Sequence, residues 1–193
     1  MTLTNEQLGE LLRHSLEQPS LTPKQLPDLD LYIDQILTLF EERMGQSRRK
    51  ESDKILTKSM VNNYSKEKLI RPIKGKKYSR EQVLQILLIF YLKSTLSIGD
   101  IKQVMQKLMA EGQDADSLEQ IFSHFEKTQE SLAVLSDSIL QGIGEHFGPD
   151  LDTNDLAAVL LGLSSMSYFL QRAAEQVVDR CFAPEEPSRP AKR

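Results

Sequence analysis

The chain has 193 residues, 39% of them hydrophobic and 27% charged, with a formal net charge of −4; this supports a packed core in one or two domains and excludes a disordered polymer. One cysteine excludes an intramolecular disulfide, and His14, His124 and His146 lie too far apart to form a spaced metal motif. The longest apolar stretch, 156–163, is far short of the ~20 residues needed to cross a bilayer, so the expectation is a cytoplasmic protein with no membrane partner. No Gly-rich phosphate loop and no nucleophile motif occurs, so neither an enzyme nor a cofactor is expected. Charge is partitioned by segment: 43–80 holds thirteen Lys or Arg against Glu51, Asp53 and Glu67, a net +10 that leaves −14 for the rest. Such a basic footprint is what attachment to phosphates requires.

In chain order, Leu8, Leu11, Leu12 and Ser15 behind a Thr4 or Asn5 cap predict a short amphipathic helix over 4–16. Pro19, Pro23 and Pro27 predict an extended connector over 18–28, because proline removes a backbone donor and disfavours helix at the preceding residue. Asp28 or Asp30 is placed to cap the next helix, whose stripe is Ile33, Ile36, Leu37, Phe40 and Met44, with Gly45 at its end. A polar, charged linker follows. Thr57 is placed to cap a short helix with Met60, Val61 and Tyr64 on one side, while Lys58, Ser59, Asn62, Asn63 and Lys66 project elsewhere.

Leu69 and Ile70 read as a β-prone strand, Lys74 and Gly75 as a turn and 76–78 as the return, the pattern of a two-stranded hairpin or wing. Ser79 with Gln82 makes a capping box for a helix that is apolar on most faces, the expected centre of the core. Ser97 with Asp100 starts another, carrying Ile101, Val104, Met105, Leu108 and Met109. Three-and-four spacing of apolar residues then predicts two long helices, over 117–146 and 153–181, joined by the short turn FGPDLD. They make an antiparallel hairpin with more apolar surface than one partner covers, and homodimerisation follows. Cys181 reads as a small buried residue, and 183–193, with three prolines and no periodicity, as a disordered tail.

The string VNNYSKEKLI followed by RPIKGKKYSREQVLQILLIFYLKSTLSIGDIKQV resembles the DNA-binding domain of MerR-type winged helix-turn-helix regulators. Val61, Tyr64 and Leu69 stand at that family's Ile-x-x-Tyr-x-x-x-x-Leu signature, with Asn62 in place of its usual Arg. Gly75, Lys76, Tyr78 and Ser79 follow its Gly-x-Arg-x-Tyr-Ser wing, and LSIGDIKQV resembles the helix after the wing. The whole chain also resembles an uncharacterised bacterial (Firmicutes-type) domain family of unknown function with MerR-like helices. Lys68 stands where MerR-type proteins usually have Gly, at a helix end where positive φ is easiest for Gly. The nearest candidate for the motif's first helix, 30–44, lies beyond the charged linker and must fold back.

The resemblance, together with the helical spacing on either side of it, implies an all-α fold with one small β-hairpin wing: an N-terminal helix and Pro-rich connector over 1–28, a winged helix-turn-helix DNA-binding domain over 29–112, a helical hairpin dimerisation domain over 113–182 and the tail over 183–193. It implies a sequence-specific transcriptional regulator that binds double-stranded DNA as a homodimer, its effector unidentified. Asn62 and Asn63 are the base-reading candidates, since an amide can both donate to and accept from adenine. Lys58, Lys66, Arg71, Lys74, Lys76, Lys77 and Arg80 would hold phosphates, with Ser59 and Tyr64 assisting through their hydroxyls. The alternative is a helical protein-interaction module in which the basic segment is incidental.

Overall fold

Helix caps set most of the element boundaries in the computed structural model, which describes residues 3–16, 19–112 and 114–183. Strand β1 (Leu3–Thr4) leads into α1 (Asn5–Leu16), where Thr4 Oγ1 accepts from the Gln7 amide at 3.2 Å and Gln7 Oε1 accepts from the Thr4 amide at 3.0 Å. Strand β2 (Leu31–Tyr32) opens α2 (Ile33–Met44). Neither Asp28 nor Asp30 caps it as the spacing suggested: Gln35 Oε1 accepts from the Tyr32 amide at 2.8 Å, because pairing of β2 delays the helix start. Helix α3 (Lys58–Lys66) starts at Thr57, whose Oγ1 accepts from the Met60 amide at 3.2 Å. After β3 (Lys77–Tyr78), the Ser79–Gln82 box starts α4 (Arg80–Leu92) and the Ser97–Asp100 box starts α5 (Ile98–Ala110). Two long helices follow, α6 (Ala115–His146) and α7 (Thr153–Cys181), with β4 (Asp150–Leu151) between them. The chain is therefore mostly helical, with two two-stranded sheets among the described residues.

Helix α4 sits at the centre. Every residue from 82 to 89 is buried, which its nearly all-round apolar sequence requires. Around it pack Ile36 and Phe40 of α2, Val61 and Tyr64 of α3, Ile101 and Met105 of α5, Leu118 and Phe122 of α6 and Val178 of α7. Each fully buried aliphatic side chain contributes about 1.5–3 kcal/mol relative to exposure. Leu21 and Leu26 of the Pro-rich connector, the start of α6 and the end of α7 belong to this one cluster. A smaller cluster of Leu8, Leu151 and Val159 lies at the far end of the long helices, where β1 pairs antiparallel with β4 (Leu3 opposite Leu151) and α1 packs on α6.

Two local expectations change. Leu69 and Ile70 form no strand: they are buried plugs, 0% and 3% exposed, and β3 pairs instead with β2, Leu31 opposite Tyr78. The expected two-stranded hairpin between 69–70 and 76–78 is absent because the first arm is spent on the core. Cys181 is exposed, not buried, since the end of α7 turns Val178 and Phe182 inward instead. The tail assigned to 183–193 lies, beyond Ala183, outside the described residues.

Candidate nucleic-acid interface

Helix α3 has a narrow buried side and a wide polar one. Val61 (0% exposed) and Tyr64 (3%) face the core, and Lys58, Ser59, Asn62, Asn63 and Lys66 are all exposed. The helix ends in a Schellman turn. The Leu69 amide donates to the Tyr64 carbonyl at 2.9 Å and the Lys68 amide to the Ser65 carbonyl at 3.1 Å. Lys68 is the residue in the left-handed region, φ 57°, where glycine is the usual choice. Leu69 and Tyr64, the positions that a hydrophobic contact commonly joins in that motif, both belong to the main core cluster.

The basic turn after α3 is held from beneath by two glutamines. Gln85, 2% exposed, accepts from the Arg71 amide at 2.9 Å, and Gln82, 7% exposed, donates through Nε2 to the Arg71 and Pro72 carbonyls at 3.2 and 3.0 Å. A backbone segment with no ladder of its own is thereby satisfied and fixed to α4. Gly75 has φ 84°, and a Cβ there would meet nothing within 4 Å, so glycine serves conformation and not space. Lys74, Lys76 and Lys77 are exposed around it, and Lys77 Nζ lies 5.2 Å from the centre of the Tyr32 ring, a cation–π contact that orients it.

The expected contact residues thus divide. Ion pairs among the described residues engage Lys24, Arg48, Arg71, Arg80, Lys102 and Arg172. Lys58, Lys66, Lys74 and Lys76 stand outside them, and with Ser59, Asn62, Asn63 and Lys77 they occupy exposed positions on α3 and the turn. Arg71 is paired with Glu81. Two assignments are corrected. Tyr64 is a core side chain, 3% exposed, so its position turns it from a ligand; the same burial raises its phenol above the ordinary range. Arg80 is a clamp: Nε meets Glu119 at 2.7 Å, and the two terminal nitrogens donate to the carbonyls of Leu26 and Pro23, each at 3.0 Å.

Sequence reasoning took Gln82 only as a cap and passed over Gln85 and Lys93. The available signal was a glutamine inside an otherwise apolar run, since a polar group at a core position needs a specific partner. Lys93 is half-buried with Nζ 5.0 Å from the Phe90 ring centre and 3.7 Å from Met60 Sδ; loss of hydration lowers its pKa. It holds α3 to the end of α4. Lys102 of α5 reaches Glu67, at the C-terminal end of α3, at 3.3 Å.

Residues 21–127 match the profile of a family described as a domain of unknown function, DUF1836. The chain belongs to that family. No curated protein and no solved structure matches it. The matched span holds most of the main core cluster, to which α7 adds Val178 from outside the span. It opens at Leu21, 1% exposed, whose amide and carbonyl both bond the Tyr91 hydroxyl at 3.1 Å, and it closes just past Phe122, Phe125 and Glu126 of α6, with Tyr91 and Phe125 ring centres 5.2 Å apart. Helices α1 and α7 and the far half of α6 lie outside it.

Proposed function

We propose that the protein is a sequence-specific DNA-binding transcriptional regulator that engages duplex DNA as a homodimer, with α3 as a MerR-like recognition helix and 71–77 in the place of a wing. One observation carries this reading: α3 buries Val61 and Tyr64 while its whole polar side, Lys58, Ser59, Asn62, Asn63 and Lys66, is exposed beside the exposed lysines of a rigidly supported turn. A helix anchored along one narrow stripe can enter a major groove with the other faces available to base edges. Asn62 and Asn63 are assigned to bases. Lys58, Lys66, Lys74, Lys76 and Lys77 are assigned to phosphates, where they fix register without reading sequence. The wing-like role does not require a hairpin, because the glutamine supports and the β2–β3 pair supply the rigidity that a β-ribbon would. The long helices α6 and α7, read as an antiparallel hairpin, would set two modules on a two-fold axis and demand an inverted-repeat site.

The test is fluorescence anisotropy with random and selected duplexes across a salt series. Five lysine–phosphate contacts per module predict a log affinity that falls with log salt at a slope of roughly −4 to −5 per protomer. Lys76→Glu with Lys77→Glu should weaken binding at every sequence, and Asn62→Ala or Asn63→Ala should change the preferred bases. Absence of binding at low salt, or Asn variants with unaltered preference, would overturn the respective assignment. Retention of a protein partner by a chain with no DNA affinity would favour the helical interaction module instead.

A further inference from the structure

Between 156 and 171, α7 carries no charged residue, and its exposed side chains are large: Leu160 at 64%, Leu161 at 73%, Tyr168 at 59%, Phe169 at 65% and Leu170 at 59%. They project from more than one side of the helix: Leu161, Met166, Tyr168 and Phe169 flank one side and present on the order of 450 Å² of apolar surface, taking about 150–250 Å² for a fully exposed large side chain, while Leu160 lies opposite Phe169. That side is as large as the roughly 300–600 Å² of the largest patch on a typical monomer, a size that is often functional. No helix is long and apolar enough to cross a membrane among the described residues.

The same region holds a concavity. A groove of about 590 Å³ runs between the far end of α6 and the start of α7, walled by Ile139, Val159, Leu163 and Met166 and floored by Gly142 and Gly162, at neither of which a Cβ would meet anything within 4 Å. At 100° per residue, Ala158, Gly162, Ser165, Phe169 and Ala173 share one stripe of α7, and all five are exposed. The stripe is small at its beginning and middle and bulky one heptad beyond Gly162.

We propose that the groove receives α7 of a second copy. The two α7 helices cross antiparallel near Ser165, so that Phe169 of each copy lies opposite Gly162 of the other and fills the groove. The pattern complements itself: a two-fold axis between Ser165 and Met166 exchanges 162 with 169, matching each cavity to a knob about 10 Å along the same helix. Ser165, beside the axis on the same stripe, is small enough to let the backbones approach closely. An uncharged stripe favours an equally uncharged occupant, which this chain itself supplies. This inference rests on the dimer in the proposed function and not on its DNA contacts.

Sedimentation equilibrium of the full chain reads it directly. The wild type should run as a dimer, twice 22.0 kDa, at micromolar concentration. Gly162→Leu, which fills the groove, and Phe169→Asp, which removes the knob, should each run as a monomer with an unchanged helical circular dichroism spectrum. Leu160→Asp, on the far side of the helix, should remain dimeric. In a Cys181→Ser background, Ser165→Cys should oxidise to a cross-linked dimer and Leu160→Cys should not. A monomeric wild type would overturn the proposal and leave the groove to another apolar occupant, a lipid or a foreign helix. A dimer that survives both Gly162→Leu and Phe169→Asp would overturn it in favour of another seam. A dimer with no DNA affinity would refute the proposed function alone.

Discussion

Arg80 separates a structural role from a nucleic-acid role, and the two predict opposite experimental patterns. Its guanidinium joins the first turn of α4 to the carbonyls of Pro23 and Leu26 in the connector and to Glu119 of α6. Arg80→Ala removes all three links. Both carbonyls belong to buried residues and lose donors, at about 1–1.5 kcal/mol each. The Glu119 pair is part-exposed, 23% on the arginine side and 38% on the glutamate, so it adds only ~0.5 kcal/mol after solvent screening. The total is about 3 kcal/mol, which at roughly 2–4 °C per kcal/mol for a chain of this size lowers the melting temperature by about 6–12 °C. Arg80→Lys keeps the charge but not the planar fork, and a point charge cannot serve three divergent acceptors; it should recover about a third of the loss. Melting by circular dichroism measures this, and anisotropy on the folded variants should show a salt slope equal to that of the wild type. A variant of unchanged melting temperature whose slope falls by about 0.9, one phosphate contact, would refute the clamp and return Arg80 to the interface.

Lys68→Gly should stabilise the chain by about 0.5–1 kcal/mol: relief of a left-handed residue contributes roughly 1–2 kcal/mol, and the added freedom of glycine in the unfolded chain offsets part of it. A lowered urea midpoint would show that the Schellman turn carries no strain. Gln85→Leu leaves the buried partner of the Arg71 amide apolar and should cost about 1–3 kcal/mol, with faster amide hydrogen exchange confined first to 69–78; exchange unchanged there would mean that the turn is held by other contacts. Asp114 accepts from the backbone amide and the hydroxyl of Ser117 at the start of α6, and these bonds hold its carboxyl below the usual range. Its contribution is therefore present above the ordinary carboxylate pKa and lost as pH falls through the depressed folded value. Asp114→Asn keeps a cap but cannot titrate, so its melting temperature should fall less between pH 5 and pH 2 than that of the wild type; parallel curves would exclude this cap as a source of acid sensitivity.

Local chemistry was sufficient wherever one residue satisfies another three or four positions away. The Thr57, Ser79–Gln82 and Ser97–Asp100 caps stand where hydroxyl and amide spacing put them, and Val61 and Tyr64 fall on one face of α3 as a 3.6-residue period requires. The exposed faces of α3 and the 74–77 turn follow from the same periodicity. Choice of a distant partner was not legible. Leu69 and Ile70 have strand propensity, but propensity does not say whether an apolar pair joins a ladder or a core, and here the core of α2 and α4 claims them. Lys77–Tyr78 pairs with Leu31–Tyr32 across a separation that no turn signal marks. Arg80 is one basic residue in a basic run, and only the approach of the connector and α6 gives its fork three acceptors. Composition and periodicity thus determined the helices and the basic face, because those are set by neighbours along the chain. The tertiary structure decided which polar groups are spent inside the protein and which remain exposed, because that depends on which segments meet.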